Sequence, residues 1–254
     1  MLRPLWLAKI RAFSIHWLLS MALALLAAAL VFGLWYPYPY RDISGGRELF
    51  WLVVSVDVVL GPLITLTVFN PVKSRREKLL DFGVIGLLQL GALLYGLWAV
   101  AQARPVHTVF EYDRFRVVHA AEIIPELLGK APAELQALPK MGPTYISLRP
   151  MVLHEQLDMT MAALGGMPLS ARPELWQSYE AGRGAILQAA HPASTLAGRF
   201  PLQRPEIERG LADTGVPIDE LVYLPLMARK ETVWTAILDR RDARVVGYLP
   251  LDSF

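Results

Sequence analysis

Within the apolar run SVDVVLGPLITLTVFNP, Ser55–Pro71, stand an aspartate, a glycine–proline pair and a threonine: Asp57, Gly61, Pro62 and Thr65. In a helix Asp57, Gly61 and Thr65 fall at i, i+4 and i+8, so they share one face. Pro62 cannot donate a backbone hydrogen bond, which predicts a kink there and a freed carbonyl at Val58. Gly61 has no side chain to keep a second helix away. An acid surrounded by lipid is expensive and normally faces protein. Three uses fit such an acid. It can lock helices of this chain together, with Gln89 as a partner at compatible depth. It can meet a polar group on a helix of another protein. It can also stand on a proton or ion path, but no inverted repeat and no second buried charge accompany it.

Two further patterns favour close helix packing. Ser20, Ala24 and Ala28 form a small-residue ridge, and Gly83 and Gly86 follow in a later apolar run. Such ridges let backbones approach within the chain, or against a foreign helix. The same ridges could join two copies of the chain.

The elements that carry these residues are set by composition. Of 254 residues 54% are hydrophobic and 19% charged, below the roughly 25% charged content of ordinary globular domains. Residues 1–103 hold 9 basic and 5 acidic side chains, and residues 104–254 hold 16 and 18. The first part reads as a membrane domain and the second as a soluble one. A span needs roughly 20 apolar residues. Three windows qualify, at about 15–36, 49–69 and 82–101. The first is too long for a signal-peptide core, and Trp35-Tyr36-Pro37 makes a poor cleavage site, so a retained anchor is expected.

Orientation follows from basic residues in short loops. Arg3, Lys9 and Arg11 precede the first span, and Lys73, Arg75, Arg76 and Lys78 separate the second from the third. Both clusters belong on the cytoplasmic side, which puts the N-terminus inside. The third span then delivers residues 104–254 outside, to the periplasm if the cell has two membranes. Trp35, Tyr36, Tyr38 and Tyr40 would form an aromatic belt at the outer interface.

The outer part reads as α+β with antiparallel strands. PVHTVFEYDRFRVV, residues 105–118, predicts a hairpin turning at Tyr112–Arg114, and residues 233–251 predict a second turning at Asp239–Asp242. Leu221–Arg229 is a further strand. Helical windows lie at about 122–137, 151–164, 172–190 and 204–213, the last opening on Pro205 and acids. Near-zero net charge argues against nucleic acid. Cysteine is absent, which excludes disulfides and thiolate metal sites. His107, His119, His154 and His191 lack ligand spacing. No nucleophile elbow, P-loop, dinucleotide or zinc-protease motif is present, so no catalytic, cofactor-binding or metal residue is expected. Gly165-Gly166 and Gly182-x-Gly184 read as turns or helix interruptions. Arg172–Arg183, with Trp176 and Tyr179, is either core or a recognition surface.

Several stretches together carry a resemblance. They are Lys9-x-Arg11-Ala12-Phe13-x-Ile15-His16, Gly45-Gly46-x-Glu48-Leu49-Phe50 and Val56-Asp57-Val58-Val59-Leu60-Gly61-Pro62-Leu63. Phe69-Asn70-Pro71, Tyr95-Gly96-Leu97 and Ala101-Gln102-Ala103-Arg104-Pro105-Val106 continue the series. With these the chain resembles the type IV pilin accessory proteins of the TfpX/TfpZ family over its membrane half and the start of its outer domain. The last hundred or so residues are similar only in layout. The resemblance implies an inner-membrane protein that helps its cognate major pilin reach or persist in the pilus, alone or with the assembly machinery, and implies no enzymatic activity. The expected role is a chaperone or adaptor. Asp57, Gly61, Pro62, Thr65, Gln89, Ser20, Ala24 and Ala28 would dock the pilin helix, and residues 104–254 would meet its head. Two rivals stand beside this. One is a periplasmic ligand sensor, against which the inner loop of about a dozen residues offers no output domain. The other is a pilin-modifying enzyme, against which no catalytic constellation is visible.

Overall fold

The structure, a computed structural model, describes residues 2–152, 155, 166, 168–229 and 232–254. The helical window at 151–164 falls mainly outside these residues, and His154 and Gly165 fall wholly outside them. The chain forms two compact units, one of Met1–Arg41 with Gly45–Ala103, the other of Asp42–Ser44 with Arg104–Phe254.

Three helices in the first unit are long and apolar enough to cross a membrane: Trp6–Trp35, Gly46–Val68 and Arg75–Gln102. The third is 28 residues long, about 42 Å at 1.5 Å per residue, which exceeds the hydrocarbon thickness of about 30 Å. Its start is fixed by a capping box in which Ser74 N–H donates to Glu77 Oε2 at 2.8 Å and Glu77 N–H to Ser74 Oγ at 3.3 Å. This arrangement satisfies two of the donors a helix start leaves open.

The second span is irregular just before Pro62. It runs as α-helix over Gly46–Ser55, widens into a π-helical turn over Val56–Leu60, and resumes as α-helix over Gly61–Val68. Pro62 stands at the start of the resumed helix. A proline ring clashes with the carbonyl four residues back, and a wider turn relieves that clash while the helix continues. The first span also ends in a π turn, Val31–Trp35.

Alanine and glycine set the spacing of the three helices. Ala24, Ala27, Val31, Phe50, Val54 and Val100 form the buried centre with Tyr36. A methyl group on Gly96 would stand 2.7 Å from Val53 Cγ1, and one on Gly46 would stand 2.5 Å from the Tyr36 ring. Tyr36 is fully buried and its hydroxyl donates to the Val100 carbonyl at 3.3 Å. Tyr40 is buried too. Of the residues expected to form an aromatic belt, these two are buried while Tyr38 is 52% exposed.

The second unit is built on an eight-stranded sheet. The strands are β1 (Pro105–Glu111), β2 (Arg114–His119), β3 (Thr144–Leu148), β4 (Trp176–Ser178), β5 (His191–Pro192), β6 (Leu221–Met227), β7 (Val233–Asp239) and β8 (Val245–Leu249). Their order is β4-β3-β1-β2-β6-β7-β8, with β5 beside β6. Both expected hairpins form, β1–β2 around Tyr112 and Asp113 and β7–β8 after Asp239.

The sheet is mixed, which corrects the antiparallel reading: β1 pairs β3 in parallel, and so does β2 with β6. Parallel neighbours need a connection of a dozen residues or more. Between β1 and β3 the chain runs through residues 112–143, which include β2. Hairpin signals in a sequence reveal only adjacent strands, so these pairings left no local trace.

The helical window at 122–137 is also corrected. It holds 3₁₀ turns at Pro125–Lys130 and Ala133–Leu135, because Pro125, Gly129 and Pro132 deny it the unbroken hydrogen-bond ladder of an α-helix. In the window 172–190 only Tyr179–Ala189 is α-helical, capped by Ser178, and β4 precedes it. Arg204–Ala212 forms as expected.

Two apolar clusters lie along the sheet. One gathers Ile207, Leu211, Leu221, Tyr223, Ile237 and Leu249. The other gathers Val106, Val109, Val118, Ile146 and Trp176. His107 stands beside the second, with Nδ1 2.8 Å from Thr144 Oγ1 and its ring edge-on to Trp176 at 4.7 Å. Its Nε2 is buried and has no hydrogen-bond partner among the described residues.

Burial pushes the His107 pKa down to about 4. The unfolded chain, with a histidine pKa near 6.5, therefore takes up this proton first. The His107 contribution is complete above about pH 6.5 and is lost as pH falls towards 4, to the extent of about 3 kcal/mol. Denaturant unfolding of the chain at pH 7, 5.5 and 4 should show that decline, and His107→Gln should flatten it. An unchanged slope in the variant assigns the acid sensitivity elsewhere.

Candidate partner-docking site

The residues singled out in the second span all point inward. Asp57, Gly61, Pro62 and Thr65 are buried, and Asp57 keeps only 5% of its surface exposed. Two neighbours account for this. Gln89 Nε2, on the third span, donates to the Asp57 carbonyl at 3.2 Å and reaches its Oδ1 at 3.5 Å. Gly61 makes the room: a methyl group there would lie 1.6 Å from the Gln89 amide nitrogen. The π turn, the glycine and the glutamine thus form one joint between the second and third spans.

A second joint ties the second span to the first. His16 Nδ1 lies 2.5 Å from Thr65 Oγ1, and Thr65 is fully buried. In lipid each of these polar groups needs a partner inside the protein. His16 was not among the sequence-derived candidates. Its signal was present, as an ionisable residue inside the first apolar window.

The small-residue ridge divides. Ser20 and Ala24 are buried. Ala24 and Ala28 line a groove of about 400 Å³ between the first and second spans, walled by Met21, Phe50, Trp51 and Val58. Leu25 and Trp51 stand at its edges, each 65% exposed. On the other side of the second span a groove of about 300 Å³ runs between Val53, Asp57, Leu93 and Gly96. Of the eight candidate residues, Asp57, Gly61 and Gln89 touch one another and Thr65 joins His16. Ala24 and Ala28 share the first groove, and Ser20 lies one turn before Ala24 on the same helix. Such a site can seat an apolar helix, and its polar groups are occupied in holding the three helices together.

Comparison with known proteins finds fimbrial assembly proteins. The family model described as fimbrial assembly protein FimB matches residues 4–45. The fimbrial assembly protein of serogroup I from Dichelobacter nodosus is 34% identical over 254 residues, covering 99% of this chain and 98% of that one. The serogroup E1 protein of the same organism is 33% identical over the same extents. That of serogroups C1 and C2 is 43% identical over 129 residues, 51% of this chain and 97% of that protein. No solved structure matches.

Proposed function

From the premise that this chain belongs to the fimbrial assembly protein family, we propose that it is a non-enzymatic membrane adaptor for a type IV pilin. It sits in the inner membrane with its N-terminus in the cytoplasm and residues 104–254 in the periplasm. Before assembly a pilin waits in the membrane with its apolar N-terminal helix embedded and its head outside. The groove between the first two spans takes that helix, and the outer unit meets the head. The observation that carries this reading is the groove itself, about 400 Å³, apolar but for Ser55 and floored by Ala24 and Ala28. Small residues at its base let a helix approach closely, which is how helices associate where lipid offers no hydrophobic gain. Asp57, Gly61, Pro62, Thr65, Gln89 and Ser20 shape the wall from behind.

The test is photocrosslinking in living cells with probes at Ala28 and Trp51, and a control probe at Leu87 on the lipid-facing side of the third span. Pilin should be captured at the first two positions and not at Leu87, which is 73% exposed. Equal capture at all three, or none, would sink the groove as the docking site. Capture of assembly machinery without pilin would move the protein's role to the machinery.

A further inference from the structure

The outer unit holds a pocket of about 280 Å³ assembled from three distant stretches of chain. β3 supplies Tyr145. The first turns of the helix Tyr179–Ala189 supply Tyr179, Glu180 and Arg183. The β7–β8 turn supplies Asp242 and Arg244, and the first residue of β8 is Val245. The Tyr145 and Tyr179 rings meet edge to face at 5.6 Å, and Phe115 packs against both.

The pocket is held in shape before anything enters it. The Tyr145 hydroxyl is bonded to that of Tyr248. The Tyr179 hydroxyl donates to the Ala243 carbonyl at 2.6 Å. Ala243 is itself fully buried at φ 58°, a left-handed conformation that an alanine adopts only where its surroundings impose it. The tyrosine thus pins a strained turn, and strain of this kind gathers at binding sites.

Size and charge select the ligand class. The pocket's volume lies at the small end of the range for ligand pockets, about 300 to 1,000 Å³, and is room enough for a single side chain. Arg183 pairs with Glu180, and Arg244 stands 3.7 Å from Asp242. The rim charges cancel, and neither an acid nor a base is favoured. Tyrosine and arginine are the residue types enriched where one protein anchors another. We propose that this pocket receives one uncharged aromatic or aliphatic side chain from the head of the fimbrial subunit. The identity of that donor protein rests on the adaptor reading above; the class of side chain does not.

The experiment titrates the full chain in detergent micelles with four blocked amino acids, the N-acetyl amides of phenylalanine, leucine, aspartate and lysine. Tyrosine ring signals are followed by NMR. The phenylalanine and leucine amides should shift the Tyr145 and Tyr179 signals with millimolar affinity, the range open to so small a ligand. Val245→Trp, which fills the pocket without removing a hydrogen bond, should weaken that binding about tenfold or more, a loss of about 1.4 kcal/mol. Arg244→Ala, at an exposed position that leaves Asp242 unpaired, should turn preference towards the lysine amide. Preference for the aspartate or lysine amide in the unaltered chain overturns the proposal. So does the absence of any shift, or an unaltered affinity in Val245→Trp.

A photocrosslinker at Arg244 in cells separates the two readings. Pilin captured from Ala28 but not from Arg244 overturns the pocket and leaves the adaptor standing. Amides that bind while neither probe captures pilin overturn the adaptor and pilin as the donor.

Discussion

Trp176→Ala should lower the stability of the chain by about 3–5 kcal/mol, the usual cost of deleting a fully buried indole. Trp176 is 1% exposed and packs in the cluster with Val106, Val109 and Ile146. Its Nε1 donates to the Ser170 carbonyl at 2.8 Å, and its ring meets His107. Alanine removes the packing and strands that carbonyl, which adds the cost of an unpaired buried acceptor. Domains are stable by only about 5–15 kcal/mol, so this one change removes a large share of the margin. Trp176→Phe keeps most of the ring and loses only the donor, and its cost should be nearer 1 kcal/mol. Urea unfolding of the purified chain in detergent, followed by near-ultraviolet circular dichroism, measures both. A loss below about 1 kcal/mol for the alanine variant would show that the cluster closes over the gap.

Gly61→Leu should reduce surface fimbriae about tenfold or more, equivalent to about 1.4 kcal/mol in the equilibrium that supplies them. The leucine must occupy the volume that Gln89 now fills, since even a methyl group would lie 1.6 Å from the amide nitrogen. Gln89 is then driven from Asp57, and the third span from the second. Gly61→Ala is milder, because the end of a glutamine can swing aside. It forfeits the interhelical hydrogen bond, worth about 0.6 kcal/mol and at most about 1.7. The decisive variant combines Gly61→Ala with Gln89→Ala. Removing the clashing group should make the pair less damaging than the sum of its parts, as contacting residues do in a double-mutant cycle. Strict additivity, in fimbriation and in thermal stability of the detergent-solubilised chain, would mean that these residues do not share a joint.

Asp57 and Gln89 were legible as a pair because the physics of an acid in lipid leaves few options. It must find a polar neighbour, and counting residues along two spans gave the depth. Gly61 was legible for the same reason, as the residue that lets the neighbour in. The His16–Thr65 contact was missed although the rule that finds Asp57 applies equally to His16. The π turn left no mark, since a period of 3.6 is assumed in reading a helix, and Pro62 suggests a kink as readily as a widened turn. In the second unit the hairpins announced themselves through turn residues between runs of Val and Phe. The parallel pairings depend on residues far apart in the chain, and the apolar spacing of 122–137 looked helical until its prolines were weighed. Trp176 and Tyr179 were noticed together, but they parted: one fills the core and the other lines a pocket. Sequence spacing does not distinguish those fates three residues apart across a strand end.

The π turn at Val56–Leu60 has a bearing on the phasing of the second span. One residue advances an α-helix by about 100°. A turn that carries one residue more than an α-helical turn therefore rotates everything beyond it by about that angle. The two halves of the span are set like two dials on one shaft. Gly46–Ser55 can be tuned to its neighbours without disturbing how Gly61–Val68 meets His16. Deleting one residue between them would restore a regular helix and turn one dial away from its mark, so the extra residue is what allows a single span to keep two separate appointments.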